Sequence, residues 1–266
     1  MNKIEIKDLH FSYKKGEEIL KGLNLTIDER STAIIGQNGA GKTTFVKLLK
    51  GLLRPTQGSI LFNGQDISNM TVAAIAKDIG LVFQNPNDQI FKNSVLDEVM
   101  FGPLQIGMSK GQAEEQARKA LEMVGLSGTE KINPYDLGLS NRKMVSIAAI
   151  VAMDTKVVIF DEPTIAQDYI GKQRIQRIMK NLQKEHKIVI SILHDMDFVA
   201  ETFDRAIVFA KGNALLDGDT KSVFKEKEIL EKAYLEQPHT MQLCYGLGYK
   251  EAFLRPEEFV AYKKNM

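Results

Sequence analysis

At 266 residues, with 44% hydrophobic and 26% charged side chains, the chain is long enough to bury a large core and has the balance of an ordered globular protein. A formal net charge of +1 lacks the basic surplus of a nucleic-acid binder, so no nucleic-acid partner is predicted, and the single cysteine, Cys244, excludes an internal disulfide framework and suits a reducing compartment. The charged start MNKIEIKDLHFSY has no apolar secretory core, and the longest apolar run, 145–153, is far short of the roughly 20 residues that a membrane span needs.

Ile4, Ile6, Leu9, Phe11 and Tyr13 read as opening strands, Lys14-Lys15-Gly16 as a turn, and Leu23, Leu25 and Ile27 as a further strand. Ala33-Ile34-Ile35 is a short buried strand. It runs into Gly36-Gln37-Asn38-Gly39-Ala40-Gly41-Lys42-Thr43, which fits G-x-x-x-x-G-K-[ST], followed by Thr44 and a helix with Phe45, Leu48 and Leu49 on one face. The glycines let consecutive backbone N–H groups curl around phosphate oxygens, and the helix aims its positive end at the same anion. Lys42 reaches the β- and γ-phosphates and the Thr43 hydroxyl serves Mg²⁺.

A break at 54–58 precedes a strand at 59–62 that turns at Asn63-Gly64. Residues 79–83 form a strand ending at Gln84, 85–89 a polar loop, and 94–100, 110–124 and 141–153 helices. The apolar strand 156–160 delivers Asp161-Glu162-Pro163. A helix at 173–182, a strand at 188–192 ending at His194, a helix at 195–202 and a strand pair around Gly212-Asn213 follow. Beyond about Val223 the texture becomes charged and helical: 225–236, a segment with Met241, Leu243 and Leu247, and a last helix from Pro256. Short apolar runs alternating with helices imply an α/β fold with a parallel sheet covered on both faces. Ligand groups then sit at the carboxyl ends of strands, where Lys42, Gln84, Asp161 and His194 all fall.

Asp161 is suited to holding Mg²⁺ beside Thr43, and Glu162 to taking a proton from an attacking water. The alternative for this pair is an acidic strand end before a proline turn. A lone histidine after a strand, such as His194, is usually structural, and Tyr13 is also compatible with a place in the core.

Taken together, Tyr13, the glycine loop, Gln84 in VFQNPNDQ, the acids of VVIFDEPT, Asp168 and His194 in SILHDMDFVAE resemble the ATP-binding-cassette (ABC) ATPases over roughly residues 1–222. The resemblance implies a P-loop NTPase core with an antiparallel β subdomain and a helical subdomain at about 90–153, and residues 223–266 as a small helical appendage outside the nucleotide core. It implies Tyr13 on the adenine, and Gly36, Asn38, Gly39, Ala40, Gly41, Lys42, Thr43 and Thr44 around the phosphates. Thr43, Gln84 and Asp161 would serve Mg²⁺. Glu162, His194 and Gln84 would be catalytic, and Asp168 would lie in a dimer-interface loop. More narrowly, Gln84–Phe91 and the tail pieces Gln237-Pro238-His239 and Arg255-Pro256-Glu257-Glu258 resemble the ATPases of energy-coupling factor (ECF) and cobalt–nickel importers. That implies a second ATPase subunit, a membrane coupling subunit, a small-molecule-binding membrane subunit for a vitamin or metal ion, a peripheral position on the cytoplasmic face of the membrane, and a tail that takes part in the ATPase–ATPase contact.

One element departs from the family. Where the signature Leu-Ser-Gly-Gly-Gln belongs, the chain reads Asp136-Leu137-Gly138-Leu139-Ser140-Asn141-Arg142-Lys143. A literal match of Leu139-Ser140 needs a two-residue deletion. Counting back from Asp161 without a gap puts Gly138 at the serine, Leu139-Ser140 at the glycine pair and Asn141 at the glutamine. The ungapped register keeps the following helix aligned and is preferred, and neither contains a Gly-Gly pair. Arg142 and Lys143 read as an exposed basic turn. An intact loop beside a degenerate signature predicts a heterodimer whose partner carries a good signature. The competing readings are a nucleotide-binding regulatory subunit with little turnover of its own, and a soluble ABC ATPase acting on nucleic acid or the ribosome.

Overall fold

Alternating side chains build the first layer of the computed structural model, which describes residues 1–264. Strands β1 (Ile4–Ser12) and β2 (Glu18–Ile27) pair antiparallel with Ile4 opposite Ile27 and Ile6 opposite Leu25, so one face is apolar. With β4 (Gln57–Phe62) and β5 (Gln65–Asp66) they form a four-stranded antiparallel sheet. The predicted opening strands are thus one continuous β1.

The second sheet has six strands in the order β10-β9-β3-β8-β7-β6. Its members are β3 (Thr32–Ile35), β6 (Ile79–Val82), β7 (Val157–Asp161), β8 (Ile188–Ile192), β9 (Arg205–Ala210) and β10 (Asn213–Asp219). All neighbours are parallel except the edge pair β9–β10. The central strands are buried end to end, and their residues alternate between two apolar clusters: Val158 and Phe160 join one, Val157 and Ile159 the other. That split is the signature of a sheet covered on both faces.

Helix α1 (Lys42–Leu49) sits between the sheets, with Phe45, Leu48 and Leu49 buried in the cluster they share. A short α2 (Val72–Ile75) precedes β6. The helical subdomain consists of α3 (Val95–Gln105), α4 (Lys110–Met123) and α5 (Leu139–Val151). Helix α3 outruns its predicted end and includes Pro103, which is buried. The expected loop at 85–89 contains one 3₁₀ turn, Pro86–Asp88, capped by the Asn85 side chain. Helices α6 (Tyr169–Lys184) and α7 (Met196–Thr202) cover the sheet.

The tail departs most from its expected form. The charged helix predicted at 225–236 is realised only as the shorter α9 (Lys227–Lys232), and a separate helix not predicted, α8 (Thr220–Lys225), precedes it across Glu226. Phe224 and Leu230 are both fully buried. Six residues apart, they would face opposite ways on one helix, and the break turns both inward. Helices α10 (His239–Gly246) and α11 (Pro256–Lys264) follow. Val223, Phe224, Leu230, Met241, Cys244 and Ala252 belong to the same buried cluster as α3–α5, so the tail shares the core of the preceding domain.

Candidate functional site

The sheet order explains why four distant residues meet. Strands β3, β8, β7 and β6 are consecutive neighbours and parallel, so their carboxyl ends lie side by side. Lys42 follows β3, His194 follows β8, Asp161 ends β7 and Gln84 follows β6.

The glycine loop is shaped by contacts that tolerate no side chain. A Cβ on Gly36 would lie 2.2 Å from the Phe209 carbonyl oxygen, and one on Gly41 2.7 Å from the Leu20 side chain. Both have left-handed φ, 151° and 102°. Lys42 donates to the carbonyls of Gly36 (2.6 Å) and Gln37 (2.9 Å). Burial lowers its pKa, against the opposing charges of Glu162 and Asp161. Tyr13 is 57% exposed, outside the core, with its ring edge-on to Phe11 and its hydroxyl 3.4 Å from the Thr44 hydroxyl. Tyr13, Ile19, the loop from Asn38 to Thr44 and Glu162 line one cleft of about 220 Å³. An aromatic face at one end, a ring of N–H groups in the middle and a carboxylate at the other end suit a nucleoside triphosphate.

Asp161 is 7% exposed, and among the described residues its Oδ1 has no hydrogen-bond partner. Burial first, then the neighbouring Glu162 charge, pushes its carboxyl pKa up to about 6. A buried orphan carboxylate is costly unless a cation satisfies it, so the residues fit Mg²⁺ held by Asp161, by the exposed Thr43 hydroxyl and by Gln84.

Glu162 has a left-handed φ of 47°, and its N–H donates to the Ile192 carbonyl at 3.1 Å. Its two carboxylate oxygens are held separately. Gln84 Nε2 donates to Oε2 at 2.9 Å, and His194 Nε2 lies 3.0 Å from Oε1. A carboxylate with both oxygens fixed beside a phosphate loop is positioned for general-base chemistry.

The signature segment lies elsewhere. Helix α5 begins at Leu139 with Gly138 as its N-cap. Leu139 is 46% exposed, Ser140 donates to Gln167 Oε1 at 2.6 Å, and Arg174 donates to Asn141 Oδ1 at 3.5 Å. None of Gly138, Leu139, Ser140 or Asn141 lines the cleft of Tyr13 and the glycine loop. Leu139 lines a second cleft, also about 220 Å³, with Gln84 and Gln167. Asp168 caps α6, accepting the Gly171 N–H at 2.7 Å.

One expectation is corrected. Arg142 and Lys143 are not an exposed basic turn. Lys143 is 2% exposed and donates to the carbonyls of Phe83, at 2.9 Å, and Gln84. Arg142 donates to Asn87 Oδ1 (2.7 Å) and to the carbonyls of Tyr135 and Leu137. The signal was present: Lys143 and Ile147 lie one helical turn apart on the buried face of α5. Sequence reasoning also missed the pair formed by His239 and Asp197, which joins the tail to the helix just after His194.

The profile of the family described as ABC transporter matches residues 20–165. The energy-coupling factor transporter ATP-binding protein EcfA of Methanocaldococcus jannaschii is 38% identical over 251 residues, covering 93% of this chain and 90% of its own. The solved structure of cbiO1 from Clostridium perfringens, described as part of the ABC transporter complex cbiONQ, has a TM-score of 0.76 at 34% identity, covering 86% of this chain and 93% of that one. A dimeric ATP-binding cassette in a post-hydrolysis state with ADP and phosphate gives a TM-score of 0.74 at 25% identity, over 82% of this chain and 98% of its own.

Proposed function

The chain belongs to the ABC transporter family, and we propose that it is the ATPase subunit of an ECF-type membrane importer of a vitamin or metal ion, working as one half of an asymmetric ATPase heterodimer. It is an ATPase that uses ATP with Mg²⁺. In this reading the phosphates rest on Gly36, Asn38, Gly39, Ala40, Gly41, Lys42, Thr43 and Thr44, and the adenine rests on Tyr13. Mg²⁺, held by Thr43, Asp161 and Gln84, supplies charge neutralisation to the phosphates. Glu162 takes the proton of the attacking water. Gln84 fixes one of its oxygens and His194 the other, and His194 would contact the γ-phosphate of bound ATP. The observation that carries the reading is the Glu162 carboxylate held between those two side chains.

The asymmetry follows from the other half of the site. An ABC signature completes the ATP site of the opposite subunit, pressing helix-terminal amides on the γ-phosphate. Leu139 at the start of α5 obstructs that approach. A partner with an intact signature would make this chain's own site the competent one and leave the partner's site slow. The likeness to EcfA supports a membrane coupling subunit and a small-molecule-binding membrane subunit as the remaining partners. Among the described residues no helix is long and apolar enough to cross a membrane. Contact with the membrane, on its cytoplasmic face, would then run through those partners.

The test is Glu162→Gln in the assembled complex. Loss of ATP turnover by about 10²–10⁴-fold with ATP still bound is expected. Near wild-type turnover would show that this chain's site is not the competent one.

A further inference from the structure

Lys143 is an expensive residue to bury. The residue is 2% exposed, on a helix face shared with the buried Met144, Ile147 and Ala148. Among the described residues no carboxylate forms a hydrogen bond or an ion pair with it. Its partners are two consecutive backbone carbonyls, those of Phe83 and Gln84. Burial pushes its pKa down to about 8, with the carboxylates of Asp161 and Glu162 acting in the opposite direction. A leucine or methionine would fill the same space without the desolvation cost, so packing alone does not account for a lysine here.

What the ammonium holds is informative. Gln84 is the residue whose side chain donates to Glu162 Oε2 at 2.9 Å, and Lys143 binds the carbonyl of that same residue. The backbone of residues 83–84 is a strand end with no further ladder partner, because β6 stops at Val82. Two lesser contacts tie the same segment to the same helix. Gln89 accepts the Phe83 N–H at 3.2 Å and donates to the Ser146 carbonyl at 2.8 Å, and Arg142 donates to Asn87. Of these three bridges, only Lys143 bonds the backbone of Gln84 itself.

We propose that Lys143 is a positioning residue for hydrolysis: its ammonium, anchored on α5, fixes the Gln84 backbone so that the Gln84 amide orients the Glu162 carboxylate. The inference rests on the assignment of Glu162 as base made above. It gives α5 two duties. One end, at Gly138–Asn141, would meet the opposite subunit in the heterodimer proposed above, and one turn further along the same helix sets the geometry of the chain's own site. A shift of α5 would therefore reach Glu162 through Lys143 and Gln84.

The experiment is a mutant cycle on steady-state ATP turnover by the assembled complex, with Lys143→Met, Gln84→Ala and the double variant. Glu162→Gln serves as the reference, and Mg·ATP affinity is measured in parallel. Lys143→Met is expected to lower kcat about tenfold or more with KM unchanged within a factor of about two. Combined with Gln84→Ala it should add no further loss, because it acts through Gln84. Lys143→Arg, which keeps the charge and the donors, should restore at least half of the lost turnover. Losses that multiply in the double variant, or parent-like kcat in Lys143→Met, would overturn the proposal. If Lys143→Met does not fold, Lys143→Gln enters the same cycle with the same criteria. The two readings fail separately: a Glu162→Gln complex that turns over normally removes the base assignment, whereas an inactive Glu162→Gln beside an active Lys143→Met removes only the role of Lys143.

Discussion

Gln84 and Glu162, 78 positions apart, meet through a 2.9 Å hydrogen bond from the Gln84 amide to one carboxylate oxygen, while His194 takes the other oxygen at 3.0 Å. The base is therefore oriented from both sides by strands that flank β7 in the sheet. Gln84→Ala and His194→Ala should each lower kcat by about tenfold to a hundredfold while leaving ATP affinity within a few fold, since neither side chain belongs to the glycine loop. In a Glu162→Gln background neither should cost anything further. Stopped-flow phosphate release and equilibrium nucleotide binding measure the two quantities separately.

Asp161 gives a prediction about stability rather than rate. Its pKa of about 6 means that the folded chain resists ionisation that the unfolded chain accepts. The cost is absent well below the unfolded value of 3.8, grows as pH rises toward 6, and is complete above that. Asp161→Asn should therefore stabilise the nucleotide-free, EDTA-treated chain at neutral pH by about 2 kcal/mol. The same variant should lose the Mg²⁺-dependent part of the stabilisation by ATP, which for a site at a hundred times its Kd amounts to about 2.7 kcal/mol in total. Thermal unfolding with ATP, with and without Mg²⁺, separates the two effects.

Most of the site was legible because each part has a local pattern. An apolar strand followed by a turn places a residue at a carboxyl end, and Lys42, Gln84, Asp161 and His194 were all readable that way. What was not legible depends on burial across long sequence distances. Nothing adjacent to Lys143 says that its partners are carbonyls 59 and 60 positions away. The break at Glu226 was hidden for a similar reason. Charged residues at helical spacing suggested a helix over 225–236, but the chain turns at Glu226 so that Phe224 of α8 and Leu230 of α9 are both buried in the core. Local propensity is weak beside such packing demands.

The start of α5 carries the third prediction. Leu139 is 46% exposed at the first position of the helix, where a glycine of an intact signature would leave room for a phosphate. Leu139→Gly with Ser140→Gly should raise turnover at the partner's site, visible as a second fast phase in single-turnover hydrolysis by the complex. The purified chain alone should also gain ATPase activity at concentrations that favour self-association. The glycines should cost the helix about 0.5–1 kcal/mol each, measured as a lowered Tm. An unchanged single phase would mean that the segment's shape is not what limits that site.

The tail is tied to the switch region by one titratable pair. His239, at the first position of α10, donates its backbone N–H to Asp197 Oδ1 at 2.8 Å and pairs its ring with the other oxygen of the same carboxylate. Its pKa is raised by the hydrogen bond to Asp197, with Glu236 and Asp195 adding negative charge nearby. Asp195 is itself held in an ion pair with Lys172, so it stays charged throughout the relevant range. A histidine whose folded pKa is raised contributes fully below its unfolded value of 6.5, and the contribution disappears as pH rises through the folded value. The docking of residues 234–242 beside His194 should therefore loosen as pH rises from below 6.5 through the raised folded value. Amide hydrogen exchange of that segment, corrected for the intrinsic pH dependence of exchange, should show protection falling over that interval. His239→Asn should start at the lower protection and show no pH dependence, whereas His186→Asn, whose parent side chain is 84% exposed, should leave the profile intact.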